Sequence, residues 1–237
     1  MKTPPIILVP GWWLGAWAWD EVAGLLRADG HDVTALTLPG LESIGSDRAS
    51  ITQTDHVAAI VDAIRGAPAP VVLAVHSGAG FTGYTASDRV PELIAAMVYV
   101  DTGAGVGAPD AEFAGAEKAL PSPEELAANE NLDGLSETQL ATFRERAVPE
   151  PGGVLREAVE LTNDARRDIP STVICTAYST KDYRDAVEAG YDFVLGLRDL
   201  RNLEYVELRT SHWPMWSRPR ELAEIISRVA GASATSE

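Results

Sequence analysis

Short apolar runs separated by stretches of helical periodicity narrow the fold of this chain more than any other feature. The runs cover residues 5–10, 32–38, 71–75, 95–100, 172–177 and 205–208, and several contain no polar residue. A strand with one wet face alternates apolar and polar side chains. A strand that is apolar throughout needs cover on both faces, as in a parallel sheet. Between the runs, Val57, Ile60, Val61 and Ile64 keep the spacing of one helical face, and Leu222, Ile225, Ile226 and Val229 repeat it. The pattern predicts an α/β fold built on an open, doubly wound, mostly parallel sheet. A chain of 237 residues is long enough for one such domain with a sizeable core.

Residues 102–170 interrupt the alternation. They contain no run that reads as a strand, but two capping-box starts, Ser122-x-x-Glu125 and Ser136-x-x-Gln139, and Pro/Gly punctuation at 149–153. The reading is a helical cap of three or four short helices between core segments 1–101 and 171–237. Its natural place is above the carboxyl edge of the sheet, where open α/β folds keep their ligand sites. The tail GASATSE reads as disordered.

The formal charge of −16 disfavours nucleic-acid and anionic-membrane partners, which need a basic face. The 102–170 segment alone carries 14 acidic and 6 basic side chains. No window approaches the length of a membrane span. The first apolar run, five residues long, is too short for a signal-peptide core, so a cytoplasmic protein is expected. Arg outnumbers Lys 16 to 3, as in GC-rich bacterial genomes. The single Cys175 sits in an apolar run and reads as a buried structural thiol. The four histidines and one cysteine show no metal-ligand spacing, and no G-x-G-x-x-G follows a strand. Neither metal nor cofactor is expected, and a homodimer is left open.

The chemistry points to V-V-L-A-V-H-S-G-A-G, residues 71–80, an apolar strand running into Ser77 among small residues. In a nucleophile elbow the serine sits on a strained strand-to-helix turn, and the positions two residues to either side are small. Here those positions hold Val75 and Ala79, with Gly78 and Gly80 displaced by one. Val75 is the awkward residue, because a β-branched side chain crowds the turn.

The stretches GAWAWDEV and GHDVTAL, with the strand–glycine turn–helix–strand order around them, resemble the α/β-hydrolase superfamily, nearest its plant methylesterase and hydroxynitrile-lyase branch. The resemblance is specific over 6–41 and 71–101, returns at 203–226 and is weak across the insertion. It implies an oxyanion hole made by the backbone N–H groups of Trp12 and Gly78; the family's usual His before that loop glycine is Pro10 here. It also implies a base in the loop after the last strand, where His212 opens an H-x-x-M-x-x-x-P run. Of the other histidines, His31 reads as a surface residue, His56 as solvated at a helix start and His76 as a packing residue.

The acid is ambiguous. The plant branch places its Asp at the end of the strand before the histidine loop, where this chain has Tyr178. Asp182 follows four residues later. Asp101 ends the strand after the elbow helix, 24 residues beyond Ser77, a placement that resembles haloalkane dehalogenases. Asp101 is the preferred acid and Asp182 the alternative.

Trp12, Trp13, Tyr178 and Trp213 fall on loops at the catalytic edge and predict an apolar or aromatic pocket, while Trp17 and Trp216 read as packing residues. With the acidic insertion, this favours a small neutral substrate. The leading reading is therefore a cofactor-free serine hydrolase of an ester, thioester or lactone. A lyase, cyclase or dehydratase using His212 as proton shuttle is the second, although the Lys such lyases carry beside the histidine is Trp213 here. A ligand-binding protein on a decayed hydrolase scaffold is the third.

Overall fold

The computed structural model describes residues 3–233. In chain order the core contains β1 (Ile6–Val9), α1 (Asp20–Ala28), β2 (Val33–Ala35), α2 (Gln53–Arg65), β3 (Val71–His76), α3 (Ala79–Arg89) and β4 (Ile94–Val100). The 102–170 segment follows with β5 (Glu117–Lys118), α4 (Pro123–Asn129), α5 (Glu137–Arg146), β6 (Glu150–Pro151) and α6 (Gly152–Arg156). The chain returns through β7 (Ser171–Cys175), α7 (Thr180–Ala189), β8 (Leu203–Glu207), α8 (Pro214–Ser217) and α9 (Pro219–Ser233). Six strands form one sheet in the order β2-β1-β3-β4-β7-β8, and every pairing in it is parallel.

The unbroken apolar runs have a direct cause. Val71, Leu73 and Val75 of β3 point into one core with Val57, Ile60, Val61 and Ile64 of α2. Val72 and Ala74 point the other way, into a core with Leu26 of α1 and Leu222, Ile225 and Ile226 of α9. Both faces are dry, so alternation has no place in the central strands.

All six runs become strands, but the second is only three residues long. The insertion does contain strand, contrary to the sequence reading: β5 and β6 pair antiparallel, Glu117 with Pro151 and Lys118 with Glu150. Two residues a side leave no periodicity to read. Both capping boxes form, with Ser122 N–H donating to Glu125 Oε2 (3.0 Å) and Ser136 N–H to Gln139 Oε1 (2.8 Å). The first three residues of the tail, Gly231 to Ser233, extend α9, and residues 234–237 lie outside the described part. Among the described residues, no helix is long and apolar enough to cross a membrane.

Candidate active site

β3 delivers Ser77 at φ 52°, a left-handed conformation that a non-glycine residue adopts at a cost of about 1–3 kcal/mol. The turn brings the strand end and α3 so close that small residues are required, though not at the expected positions. A Cβ on Gly83 would overlap Val75 Cγ1, so the helix gives up the side chain and the strand keeps its valine. A Cβ on Gly80 would strike the Gly103 carbonyl. Replacing Gly83 by Ala is therefore expected to destabilise the fold by about 1–3 kcal/mol through overpacking. An unobstructed Gly→Ala change within a helix would instead stabilise it. Urea denaturation reads the sign, and Val75→Ala in the same chain should recover most of the loss.

Three side chains are bonded in series at the carboxyl edge of the sheet. Ser77 Oγ lies 2.8 Å from His212 Nε2, and His212 Nδ1 lies 2.6 Å from Asp101 Oδ2. With the Nδ1 proton donated to the carboxylate, Nε2 is free to accept from the serine hydroxyl. Asp101 directly follows β4 at φ 45° and is 4% exposed. Its second oxygen accepts the backbone N–H groups of Thr176 and Ala177, each at 3.0 Å. The turn after β7 thus provides two amides that solvate an acid from the turn after β4.

Electrostatics agree with this arrangement. Burial pushes the Asp101 carboxyl up, but the hydrogen bond and charge of His212, with the Thr176 amide, outweigh it and leave it below the usual range. Burial pulls the His212 imidazole down, and the hydrogen bond and charge of Asp101, helped by Glu130, more than offset this and leave it raised. Asp182 is occupied elsewhere: as the third residue of α7 it accepts Ser179 N–H (2.8 Å) and Oγ–H (2.6 Å) in a capping box.

The loop after β1 meets the elbow closely. A Cβ on Gly11 would come within 2.8 Å of Ser77 Cβ, and the Trp12 indole lies against Gly78 where a side chain would stand. Among the described residues, neither Trp12 N–H nor Gly78 N–H donates to another backbone group. The next residue, Trp13, has φ 67°, an outlier for a bulky side chain.

Several expectations need correction. Trp13 and Trp213 are buried, at 8% and 2% exposure. Trp13 donates its indole N–H to the Lys118 carbonyl (2.9 Å). Trp213 packs between His212 (4.9 Å), Phe143 of α5 (5.2 Å) and Trp216. Both are supports rather than pocket walls, because the insertion covers them. Tyr178 is half exposed and lines an open groove with Tyr183, Tyr191 and Phe193. Neither His31 nor His56 is solvated: His31 Nε2 lies 2.8 Å from Ser227 Oγ, and His56 Nε2 lies 2.9 Å from the Pro39 carbonyl. His76 is buried as expected, and its Nε2–H also holds the His212 carbonyl at 2.7 Å, a bond with no sequence signature. Burial pushes the Cys175 thiol up to about 11, so it stays protonated. Among the described residues, no three His, Cys, Asp or Glu side chains group as metal ligands. A hollow lined in part by Ile94, Thr172 and Asn202 opens at the amino edge of the sheet, opposite Ser77.

A parallel α/β sheet with serine, aspartate and histidine meeting in that chain order at its carboxyl edge defines a class, the α/β hydrolases. The model of the alpha/beta hydrolase family matches residues 6–225, and the chain belongs to that family. Over 119 residues it is 34% identical to Esterase PIR7B of Oryza sativa subsp. japonica, covering 45% of this chain and 43% of that protein. Over 106 residues it is 38% identical to Methylesterase 8 of Arabidopsis thaliana, covering 42% and 38%. The matched part thus spans about two fifths of each of these relatives. Among solved structures, an extracellular α/β-hydrolase from a Paenibacillus species superimposes with a TM-score of 0.76 at 21% identity, covering 95% of this chain and 98% of that one. At that identity the likeness is one of fold.

Proposed function

We propose that the protein is a serine hydrolase of carboxylic esters and that Ser77, His212 and Asp101 are its catalytic residues. The observation that carries this reading is the unbroken series from Ser77 Oγ through His212 to Asp101. His212 Nε2 takes the hydroxyl proton as Ser77 Oγ attacks the ester carbonyl. The Trp12 and Gly78 N–H groups receive the oxyanion. Collapse of the tetrahedral intermediate breaks the C–O bond, and His212 passes its proton to the leaving alcohol. Water, deprotonated by the same nitrogen, then releases the acid from Ser77. Asp101 stays ionised throughout and stabilises the imidazolium. Small neutral esters, thioesters and lactones are the proposed substrates. The acidic insertion repels anions, and the exposed Tyr178 ring supplies an aromatic edge near the site.

The test is labelling with a fluorophosphonate followed by peptide mapping across pH. Modification is expected at Ser77 alone. Its rate should rise with pH through a midpoint above 6.5, because only neutral imidazole accepts the proton and His212 is held above its ordinary value. A folded protein that leaves Ser77 unmodified would sink the hydrolase reading and favour a non-hydrolytic role for the same histidine.

A further inference from the structure

Glu150 is 1% exposed, lies on β6 of the insertion and takes no part in the chemistry above. Its Oε2 accepts the backbone N–H of Trp13 at 3.3 Å. Trp13 is the left-handed residue next to the proposed oxyanion donor Trp12, and the bonds holding it come from the insertion. Lys118 O takes its indole N–H (2.9 Å), its carbonyl accepts Val148 N–H (3.0 Å), and Glu150 takes its amide. Only the last uses a side chain of the insertion. Glu150 also lines a small cavity together with Gly11, Trp12, Gly78 and His56, which puts it beside both proposed donor residues.

We infer that Glu150 is a positioning residue: its carboxyl fixes the Trp12–Trp13 turn and so aims the Trp12 N–H at the oxyanion. The groups facing it indicate that it does this uncharged. From α2, His56 presents Nδ1 at 3.8 Å from Oε1. His56 Nε2–H is committed to the Pro39 carbonyl, which leaves Nδ1 as an acceptor. Burial pushes His56 down to about 4, against the hydrogen bond to Pro39 and the charges of Asp55 and Glu42, so it offers no positive charge at neutral pH. From β5 the one cation is Lys118, whose Nζ sits 4.5 Å from the centre of the Trp12 ring. Burial pushes Glu150 up to about 8, opposed by the Trp13 N–H and by Lys118. Below that pH a neutral carboxyl holds the loop. Above it a negative charge appears beside the residues whose N–H groups must receive an oxyanion, and turnover should fall.

This inference rests on the hydrolase reading, and the experiment separates the two. Turnover of p-nitrophenyl acetate is followed from pH 5.5 to 10 for wild type, Glu150→Gln and Glu150→Leu, with melting curves for each. The Trp13 amide shift of labelled protein is followed over the same range. For Glu150→Leu, kcat is expected to fall about 10- to 100-fold, the scale of a misplaced catalytic group, with KM within about threefold. Glu150→Gln should recover most of that loss, because its amide oxygen still accepts from Trp13. It should also lack the decline in kcat/KM that wild type shows near pH 8. The wild-type Trp13 amide should titrate over that decline, and the Gln variant's should not. A decline that persists in Glu150→Gln, or wild-type turnover by a folded Glu150→Leu, overturns the inference. If Glu150→Leu does not fold, the Gln profile decides. A wild type that neither turns over ester nor is phosphonylated fails the hydrolase reading, while the Trp13 titration still tests the contact.

Discussion

Replacing Ser77 by Ala or Gly is expected to lower ester turnover on the order of 10⁵-fold, and the two variants should differ in stability. On the proposed mechanism, the loss follows from removing the atom that forms the acyl bond. What remains is binding and the oxyanion donors, which alone give a small residual rate. His212→Ala should cost about as much, since an unactivated hydroxyl is a poor nucleophile, and the double variant should be little worse than either single one. The stability difference comes from the backbone. Position 77 is held at φ 52°, and alanine keeps the Cβ that makes this conformation unfavourable, whereas glycine removes it. Ser77→Gly should therefore melt a few degrees above Ser77→Ala, about 1 kcal/mol at this chain length. Equal melting temperatures would mean that the relief of strain does no more than offset the greater unfolded-state entropy of glycine. Turnover within tenfold of wild type in either variant would remove Ser77 from the mechanism.

The parts of this molecule that were legible in the sequence are those whose cause is local. The strands were readable because both sheet faces are covered, which leaves apolar runs, and the two capping boxes because four residues define each. Ser77 was legible because an apolar strand that runs into small residues is a local pattern. Tolerance of Val75 was not, because the compensating glycine is eight residues away in the following helix. The aromatic loops misled for a similar reason. Trp13 and Trp213 stand on loops at the catalytic edge, but Lys118, Phe143 and Val148 of the insertion close over them, and nothing near either tryptophan reports that contact. Glu150 looks like one more surface carboxylate in an acidic segment. Only the tertiary structure places it against a backbone amide, with a neutral imidazole for a neighbour.

The choice of acid has the second largest expected consequence. Asp101→Asn should slow turnover and phosphonylation of Ser77 by roughly 10⁴-fold, while Asp182→Asn should stay within about twofold of wild type. The asparagine keeps the shape, and its oxygen can still accept from Thr176 and Ala177. Its NH₂ then faces His212 Nδ1 and favours the tautomer with the proton on Nε2, where it cannot accept from Ser77. The negative charge that raises the imidazole is lost as well, so the residual activity should titrate at lower pH than wild type. That shift separates an electrostatic partner from a purely structural one, whose loss would reduce the rate without moving the midpoint. Asp182 lies on solvent at the start of α7, bonded to Ser179, and its replacement should lower the melting temperature slightly by weakening a cap. If Asp182→Asn instead gave the large rate loss, α7 would have to swing its first turn toward His212 during turnover. Asp101 would then be a buried carboxylate that holds the histidine at rest.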